Sequence, residues 1–140
     1  MGKTLVVAEK PSVARDLAAA LPGSFTQSKD KTHLVGDDHV ITWAVGHLVG
    51  LAEPDAYDPK LKKWRYADLP IVPKEFKLVP NDERAGKQLR AIHKLMADDE
   101  IDLIVNGCDA GREGELIFAY IYELADVDKP VERLWLSSMT

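Results

Sequence analysis

Short apolar runs alternate with amphipathic stretches along the chain. Three mostly apolar runs predict buried strands, and they lie at residues 4–8, 101–105 and 131–136. Three stretches carry apolar residues at helical spacing, and they cover residues 11–21, 83–97 and 112–125. Helices that alternate with apolar strands predict an α/β fold, in which a mainly parallel central sheet is covered by helices on both faces.

The segment between the first two helices has a different character. Two strands are predicted at Thr32–Val35 and Val40–Ala44, and the linker between them is typical of a hairpin turn. A tight turn bounded by glycines follows at residues 46–50. Residues 53–80 then hold five of the eight prolines, which predicts an ordered surface excursion. One short strand is predicted inside it, at Phe76–Val79.

Composition narrows the class of protein. The chain has 140 residues, of which 46% are hydrophobic and 29% charged, as expected for a single compact domain over residues 1–140. Uncharged runs are far shorter than the ~18 apolar residues of a membrane span. Cys108 is the only cysteine, which excludes an internal disulfide and a cysteine-rich metal site. A lone thiol and no export signal predict a cytoplasmic location.

Charge is unevenly distributed. The 18 basic and 23 acidic residues give a formal charge of −5, which by itself argues against a nucleic-acid partner. The segment 95–116 holds seven acids and one base, whereas the rest of the chain is nearly neutral. The acidic excess therefore indicates a local feature rather than an acidic surface.

Acidic residues follow two of the predicted strands. Glu9 comes directly after the first strand, Asp109 lies a few residues beyond the strand at 101–105, and Glu113 falls in the first turn of the next helix. If the two strands are neighbours, these carboxylates converge on one rim of the sheet and suit Mg²⁺. Alternatively, Glu113 only stabilises a helix N-terminus, where an acidic side chain contributes ~0.3–1 kcal/mol of stability.

Basic residues flank this cluster. Lys10 and Arg112 are each adjacent in sequence to one of the acids. They could hold a phosphate group, or they could form ordinary ion pairs with the neighbouring carboxylates. The sequence pattern leaves both interpretations open.

These motifs resemble a known family. Glu9-Lys10-Pro11-Ser12 and the stretch Asp109–Glu115 resemble the Toprim domain of type IA DNA topoisomerases. Further segments resemble the topoisomerase III branch, namely Ile41–Leu48, Pro54–Asp58, Trp64 and Ala67–Pro73. The closing Leu134–Thr140 is similar to the segment that leads from Toprim into the next domain. The resemblance covers essentially the whole chain. The acidic motif alone is shared with primases and some nucleases, so the middle segments carry the finer assignment.

The resemblance implies a Rossmann-like Toprim fold and a Mg²⁺ cofactor. It assigns the metal ligands to Glu9, Asp109 and Glu113, and it gives Glu9 the handling of the proton on the 3′ oxygen. Lys10 corresponds to a lysine that stabilises charge on the phosphate, and Arg112 lies in the same motif. A bound cation and a positioned acid or base would both ease a phosphoryl transfer.

One position departs from the family pattern. The common motif has a second aspartate two residues after the first, and Gly111 occupies that place here. One carboxylate ligand is therefore missing, which predicts weaker Mg²⁺ binding, with water or Glu113 filling the gap.

The basic part of the excursion suggests a nucleic-acid contact. Residues 55–65 contain four bases and two acids, and Trp64 lies next to Lys63 among the bases. An aromatic ring among cations can stack on single-stranded DNA. Alternatively, Trp64 anchors the excursion on the domain. The resemblance supports the DNA contact, because the matching tryptophan of the family lies near bound DNA. His47 is either a turn residue bonded to the backbone or a group that faces the site. The predicted DNA-binding residues are Trp64, Lys63 and His47.

The resemblance also implies partners outside the chain. The nucleophilic tyrosine of the family lies in a later domain, in a motif that this sequence lacks. The chain is therefore expected to be a fragment that works with single-stranded DNA and the remaining domains of the same topoisomerase, and to be inactive alone. Two other classes of protein are alternatives. One is a stand-alone Toprim nuclease or primase-like protein, and the other is a receiver-like or flavodoxin-like phosphate or metal binder.

Overall fold

The computed structural model of this chain describes residues 2–137; residues 138–140 of the closing Leu134–Thr140 motif lie outside them. The strands are β1 Lys3–Ala8, β2 Thr26–Gln27, β3 His33–Val35, β4 His39–Trp43, β5 Val49–Leu51, β6 Leu78–Pro80, β7 Ile101–Gly107 and β8 Val131–Arg133. The α-helices in this range are α1 Pro11–Ala20, α2 Glu83–Met96 and α3 Arg112–Ala125. None of them is long and apolar enough to cross a membrane.

Six strands form the central sheet in the order β2-β3-β4-β1-β7-β8. The pairs β4–β1, β1–β7 and β7–β8 are parallel, whereas β2–β3 and β3–β4 are antiparallel. Ala8 pairs with Gly107, so β1 and β7 end side by side at the same edge. The predicted mainly parallel sheet and its hairpin are confirmed.

The core lies on both faces of β1. Leu5 and Val7 pack into a cluster with residues of α2 and α3, whereas Val6 and Ala8 pack with residues of α1. This division follows from the pleat, because successive side chains of a strand point to opposite faces. Helices therefore cover both faces of the sheet, as the sequence pattern predicts.

Local sequence explains where the helices begin. Pro11 occupies the first turn of α1, where its missing N–H costs no hydrogen bond. Asp82 caps α2, and its carboxylate accepts a 2.7 Å hydrogen bond from the backbone N–H of Ala85. α3 ends where Asp126 adopts a left-handed conformation with φ of 50°.

Several predicted boundaries were wrong. The turn predicted at 46–50 is shorter, because β5 begins at Val49. The strand predicted at Phe76–Val79 is present but shifted to Leu78–Pro80, where it pairs with β5 in a two-stranded ribbon across the excursion. Such pairing joins distant segments, so short-range patterns do not reveal it. The strand predicted at 131–136 ends at Arg133. The N–H of Leu134 still donates to the carbonyl of Asn106 in β7, but the carbonyl of Leu136 accepts from the N–H of Ala110 in the loop after β7 and does not continue the ladder.

The excursion between β5 and β6 contains little regular structure. Three short 3₁₀ turns cover Pro54–Ala56, Pro59–Lys62 and Tyr66–Asp68, and none of their residues is buried. The ribbon of β5 and β6 closes the base of the excursion. An ordered surface excursion was predicted for this region, and the structure agrees.

Candidate active site at the carboxyl ends of the central strands

The two central strands bring Glu9 and Asp109 together. Glu9 directly follows β1, and Asp109 lies two residues beyond the end of β7. Gly107 permits the close approach of these strands, since a Cβ there would lie 3.1 Å from Cγ1 of Val6 and 3.2 Å from the carbonyl oxygen of Val7. Both carboxylates therefore lie, partly buried, at one edge of the sheet, where open α/β sheets bind ligands.

The two acids influence each other electrostatically. Burial raises the pKa of Glu9 above its ordinary value, and the negative charge of Asp109 raises it further. The backbone of Asp109 and the ammonium of Lys10 act in the opposite direction on that pKa. Within residues 2–137, neither carboxylate takes part in a salt bridge. This pair is suited to hold a proton or to bind a cation.

The loop after β7 is packed tightly against the start of α3. The backbone N–H of Gly111 donates to the carbonyl of Asp109 at 2.9 Å, and the N–H of Glu115 donates to the carbonyl of Gly111 at 3.0 Å. A Cβ at Gly114 would collide with the backbone of Asp109. Gly114 was missed by the sequence analysis. A glycine inside the first turn of a helix, where it is unfavourable, is the signal that could have found it.

Glu113 lies in the first turn of α3 and meets His47. Its Oε1 is 3.2 Å from Nε2 of His47; the Glu113 side chain is 76% exposed, whereas that of His47 is 38% exposed. The carbonyl of His47 in turn accepts a 2.7 Å hydrogen bond from the side chain of Asn81. Among residues 2–137, no three histidine, cysteine, aspartate or glutamate side chains already form a group that could hold a metal. The metal role of Glu9, Asp109 and Glu113 as a set stays a prediction.

The two basic candidates face different spaces. Lys10 and Asp109 line one cleft of about 470 Å³. Arg112 lines another hollow, which Leu116 and the exposed Trp135 also border. The structure thus places Lys10 beside the carboxylate pair, and the phosphate role of Arg112 stays a prediction.

Trp64 is held in the excursion and is mostly exposed. It is 74% exposed and lines an apolar hollow that also includes Phe76. Tyr57 secures this region, because its hydroxyl accepts a 2.7 Å hydrogen bond from the backbone N–H of Lys77. The neighbouring Lys63 is exposed as well. An anchoring role therefore fits Tyr57 better than Trp64, and the DNA role of Trp64 and Lys63 stays a prediction.

A polar group beneath the loop also escaped the sequence analysis. The buried side chain of Asn106 accepts a hydrogen bond from the backbone N–H of Cys108 at 3.1 Å and another from Arg133 at 2.8 Å. Arg133 also forms a 2.6 Å salt bridge with Glu115. The available signal was Arg133, a charged residue within the buried strand predicted at 131–136, because charged residues are rarely buried without partners.

This architecture defines a class of protein: a Rossmann-like α/β domain with an acidic rim, formed by Glu9 and Asp109, at the carboxyl ends of adjacent parallel strands. Comparison with known families makes the class specific. The sequence profile described as the Toprim domain matches residues 4–139. The chain belongs to the Toprim domain family.

Curated relatives show the same region in longer proteins. The chain is 47% identical over all 140 residues to the DNA topoisomerase 3 of Bacillus subtilis (strain 168) and to that of Bacillus licheniformis. It is 44% identical over the same length to the DNA topoisomerase 3 of Bacillus anthracis. In each case the chain spans 19% of the relative's length.

Proposed function

We propose that this chain is the Mg²⁺-binding Toprim part of a type IA DNA topoisomerase of the topoisomerase III branch. In this role it assists single-strand cleavage and religation by a tyrosine located outside this chain. The observation that carries the proposal is the carboxylate pair of Glu9 and Asp109 at the ends of β1 and β7. The identity to proteins named DNA topoisomerase 3 supports the branch.

The acidic rim fits a divalent cation. Glu9 and Asp109 repel each other and lack a salt-bridge partner among the described residues. Glu113 would join them as the third ligand by leaving His47. Bound there, Mg²⁺ would stabilise negative charge on the scissile phosphate. Gly111 provides no carboxylate, so we expect the affinity to be modest.

Glu9 is suited to handle a proton in this reaction. Its raised pKa makes the carboxyl easier to protonate than that of an ordinary glutamate, so it could donate a proton to the leaving 3′ oxygen and recover it on religation. Lys10 would orient the phosphate from the same cleft, and Arg112 would add a second positive charge. These residues touch the reacting groups in the proposal, and they form its catalytic set.

Single-stranded DNA is the proposed nucleic-acid partner, together with the remaining domains of the same topoisomerase chain. Trp64 offers an exposed ring on which a base can stack, and Lys63 offers a charge for the backbone. His47 would meet the DNA at the rim once Glu113 binds the metal. The acidic net charge does not oppose this, because the excess lies in one segment.

A metal titration tests the proposal. Mn²⁺ added to the isotope-labelled chain should broaden the amide resonances of Lys10 and Ala110 first, because these neighbour the carboxylate pair. Glu9→Gln and Asp109→Asn should each weaken binding about tenfold or more, given the sensitivity of metal sites to altered ligands and their partners. Asp99→Asn is the matched control from the same acid-rich segment and should bind as the wild type does. Broadening centred on residues 98–102, or equal weakening by the control, would refute the metal site.

The activity of the chain alone separates the proposal from its alternative. We expect the 140-residue chain to leave supercoiled DNA unrelaxed in the presence of Mg²⁺, because the nucleophilic tyrosine lies elsewhere. Relaxation by the chain would contradict this expectation. Nicking that Glu9→Gln abolishes would instead favour a stand-alone Toprim nuclease.

A further inference from the structure

Arg133, the last residue of β8, reaches across to the loop that carries Asp109. Its Nη1 donates to three oxygens, namely the carbonyl of Asn106 at 3.2 Å, Oδ1 of Asn106 at 2.8 Å and the carbonyl of Cys108 at 2.6 Å. Its Nη2 donates to the carbonyl of Asp109 at 2.8 Å and also meets Oε1 of Glu115 at 2.6 Å. One guanidinium thus joins the end of β7, the loop and the first turn of α3.

The placement of Arg133 is costly, which points to a specific role. Its side chain is only 22% exposed, and its Nε is buried without a hydrogen-bond partner among the described residues. A buried N–H without a hydrogen-bond partner destabilises the folded state. The two Nη groups have multiple partners, so they set the orientation of the guanidinium and leave Nε unpaired.

Backbone hydrogen bonds flank this contact but do not replace it. The N–H of Leu134 donates to the carbonyl of Asn106 at 3.0 Å, and the N–H of Ala110 donates to the carbonyl of Leu136 at 2.9 Å. One of these hydrogen bonds lies on each side of the peptide that joins Cys108 to Asp109. Between them, only Arg133 among the described residues of the segment 133–136 contacts the carbonyls of Cys108 and Asp109.

We infer that Arg133 is a positioning residue for the acidic rim. By fixing the carbonyls on both sides of the Asp109 backbone N–Cα–C unit, it holds the Asp109 carboxylate against Glu9. It touches neither carboxylate itself. The planar guanidinium matters, because lysine lacks a rigid set of donors and cannot meet several acceptors in fixed directions. The expected effect of Arg133 on metal binding rests on the proposed function, whereas its effect on the geometry of the loop does not.

Three variants test this role. Arg133→Gln removes the charge and most donors, and Arg133→Lys keeps the charge without the planar donors. Glu115→Gln is the matched control, because it removes the salt bridge and leaves the contacts to the loop carbonyls. Each variant is measured for amide hydrogen exchange, for thermal unfolding and for Mn²⁺ affinity well below its unfolding temperature.

We expect exchange of the Asp109 and Ala110 amides to quicken more than tenfold in Arg133→Gln, while exchange in β1 and α1 stays unchanged. Mn²⁺ affinity should fall about tenfold, as when partners of metal ligands are removed. Arg133→Lys should recover only part of both effects, and Glu115→Gln should resemble the wild type. A purely structural arginine would instead change exchange throughout the domain. If Arg133→Gln fails to fold, Arg133→Lys decides by the same measurements.

The outcomes separate the two proposals. If the wild type binds Mn²⁺ and Arg133→Gln shows the same Mn²⁺ affinity and the same loop exchange, the positioning role is overturned and the metal site stands. Absent Mn²⁺ binding in the wild type would overturn the proposed metal function. In that case faster exchange confined to the loop still supports the positioning role, and unchanged exchange overturns it.

Discussion

The acidic rim and the excursion are built in opposite ways. Glu9 and Asp109 follow central strands whose residues Val7 and Ile104 are fully buried. The 3₁₀ turns of the excursion contain no buried residue. Several apolar side chains of the excursion are exposed instead, among them Trp64, Tyr66, Leu69, Val72 and Phe76. The geometry of the rim therefore depends on the stability of the core, whereas the excursion can change its surface without disturbing the fold.

The largest predicted effect tests this dependence. Ile104→Ala should lower the free energy of unfolding by about 2–5 kcal/mol, because it leaves a cavity beneath the rim. Val72→Ala, at a position 76% exposed in the excursion, should change it by less than about 0.5 kcal/mol. Urea denaturation followed by circular dichroism measures both. Similar losses in the two variants would contradict the comparison.

A pair of glycines tests the packing of the rim itself. Gly114→Ala should destabilise the domain by about 1–3 kcal/mol, because the added methyl group collides with the backbone of Asp109 rather than with a movable side chain. Gly111→Ala is the matched control, since a Cβ there meets no atom within 4 Å. The same denaturation experiment compares them. Equal stability of the two variants would show that the loop is not tightly packed on α3.

The excursion should show its effect in binding rather than in stability. Trp64→Ala should weaken binding of single-stranded DNA by about 1–3 kcal/mol if its ring stacks on a base. Phe76→Ala removes another exposed ring from the same apolar hollow and serves as control. Fluorescence anisotropy with a labelled oligonucleotide measures the affinities at fixed salt. Equal losses in both variants would assign the effect to the hollow and not to stacking by Trp64.

The smallest predicted effect concerns pH. Because the pKa of Glu9 is raised in the folded state, the native carboxyl holds a proton that the unfolded chain releases more readily. Its stabilising contribution is complete below the ordinary pKa that the unfolded chain retains, and it is lost as pH rises through the higher folded pKa. Glu9→Gln should therefore be slightly more stable than the wild type at pH 7 without metal. The difference should vanish near pH 4, and a gain of equal size at both pH values would contradict it.

Strong local signals allowed much of the fold to be predicted. The helical spacing of apolar residues over 83–97 predicted α2, and Leu89 and Ile92 on its apolar face are buried. The ribbon of β5 and β6 was missed, because its hydrogen bonds join segments almost thirty residues apart. The end of β8 was missed because the chain beyond Leu134 bonds to the loop after β7 rather than to β7 itself.

The sequence by itself determined the order of the three helices and of the strands that alternate with them, the family resemblance and the position of acids at the ends of strands, because each depends on residues close together in the chain. Tertiary structure decided which of these side chains meet. The pairing of β1 with β7 brought Glu9 to Asp109, while the packing of the β4–β5 connection placed His47 against Glu113. It also directed Arg133 to the carbonyls beneath Asp109. These contacts join residues 24 to 100 positions apart, so their selection depends on the packed core and not on local pattern.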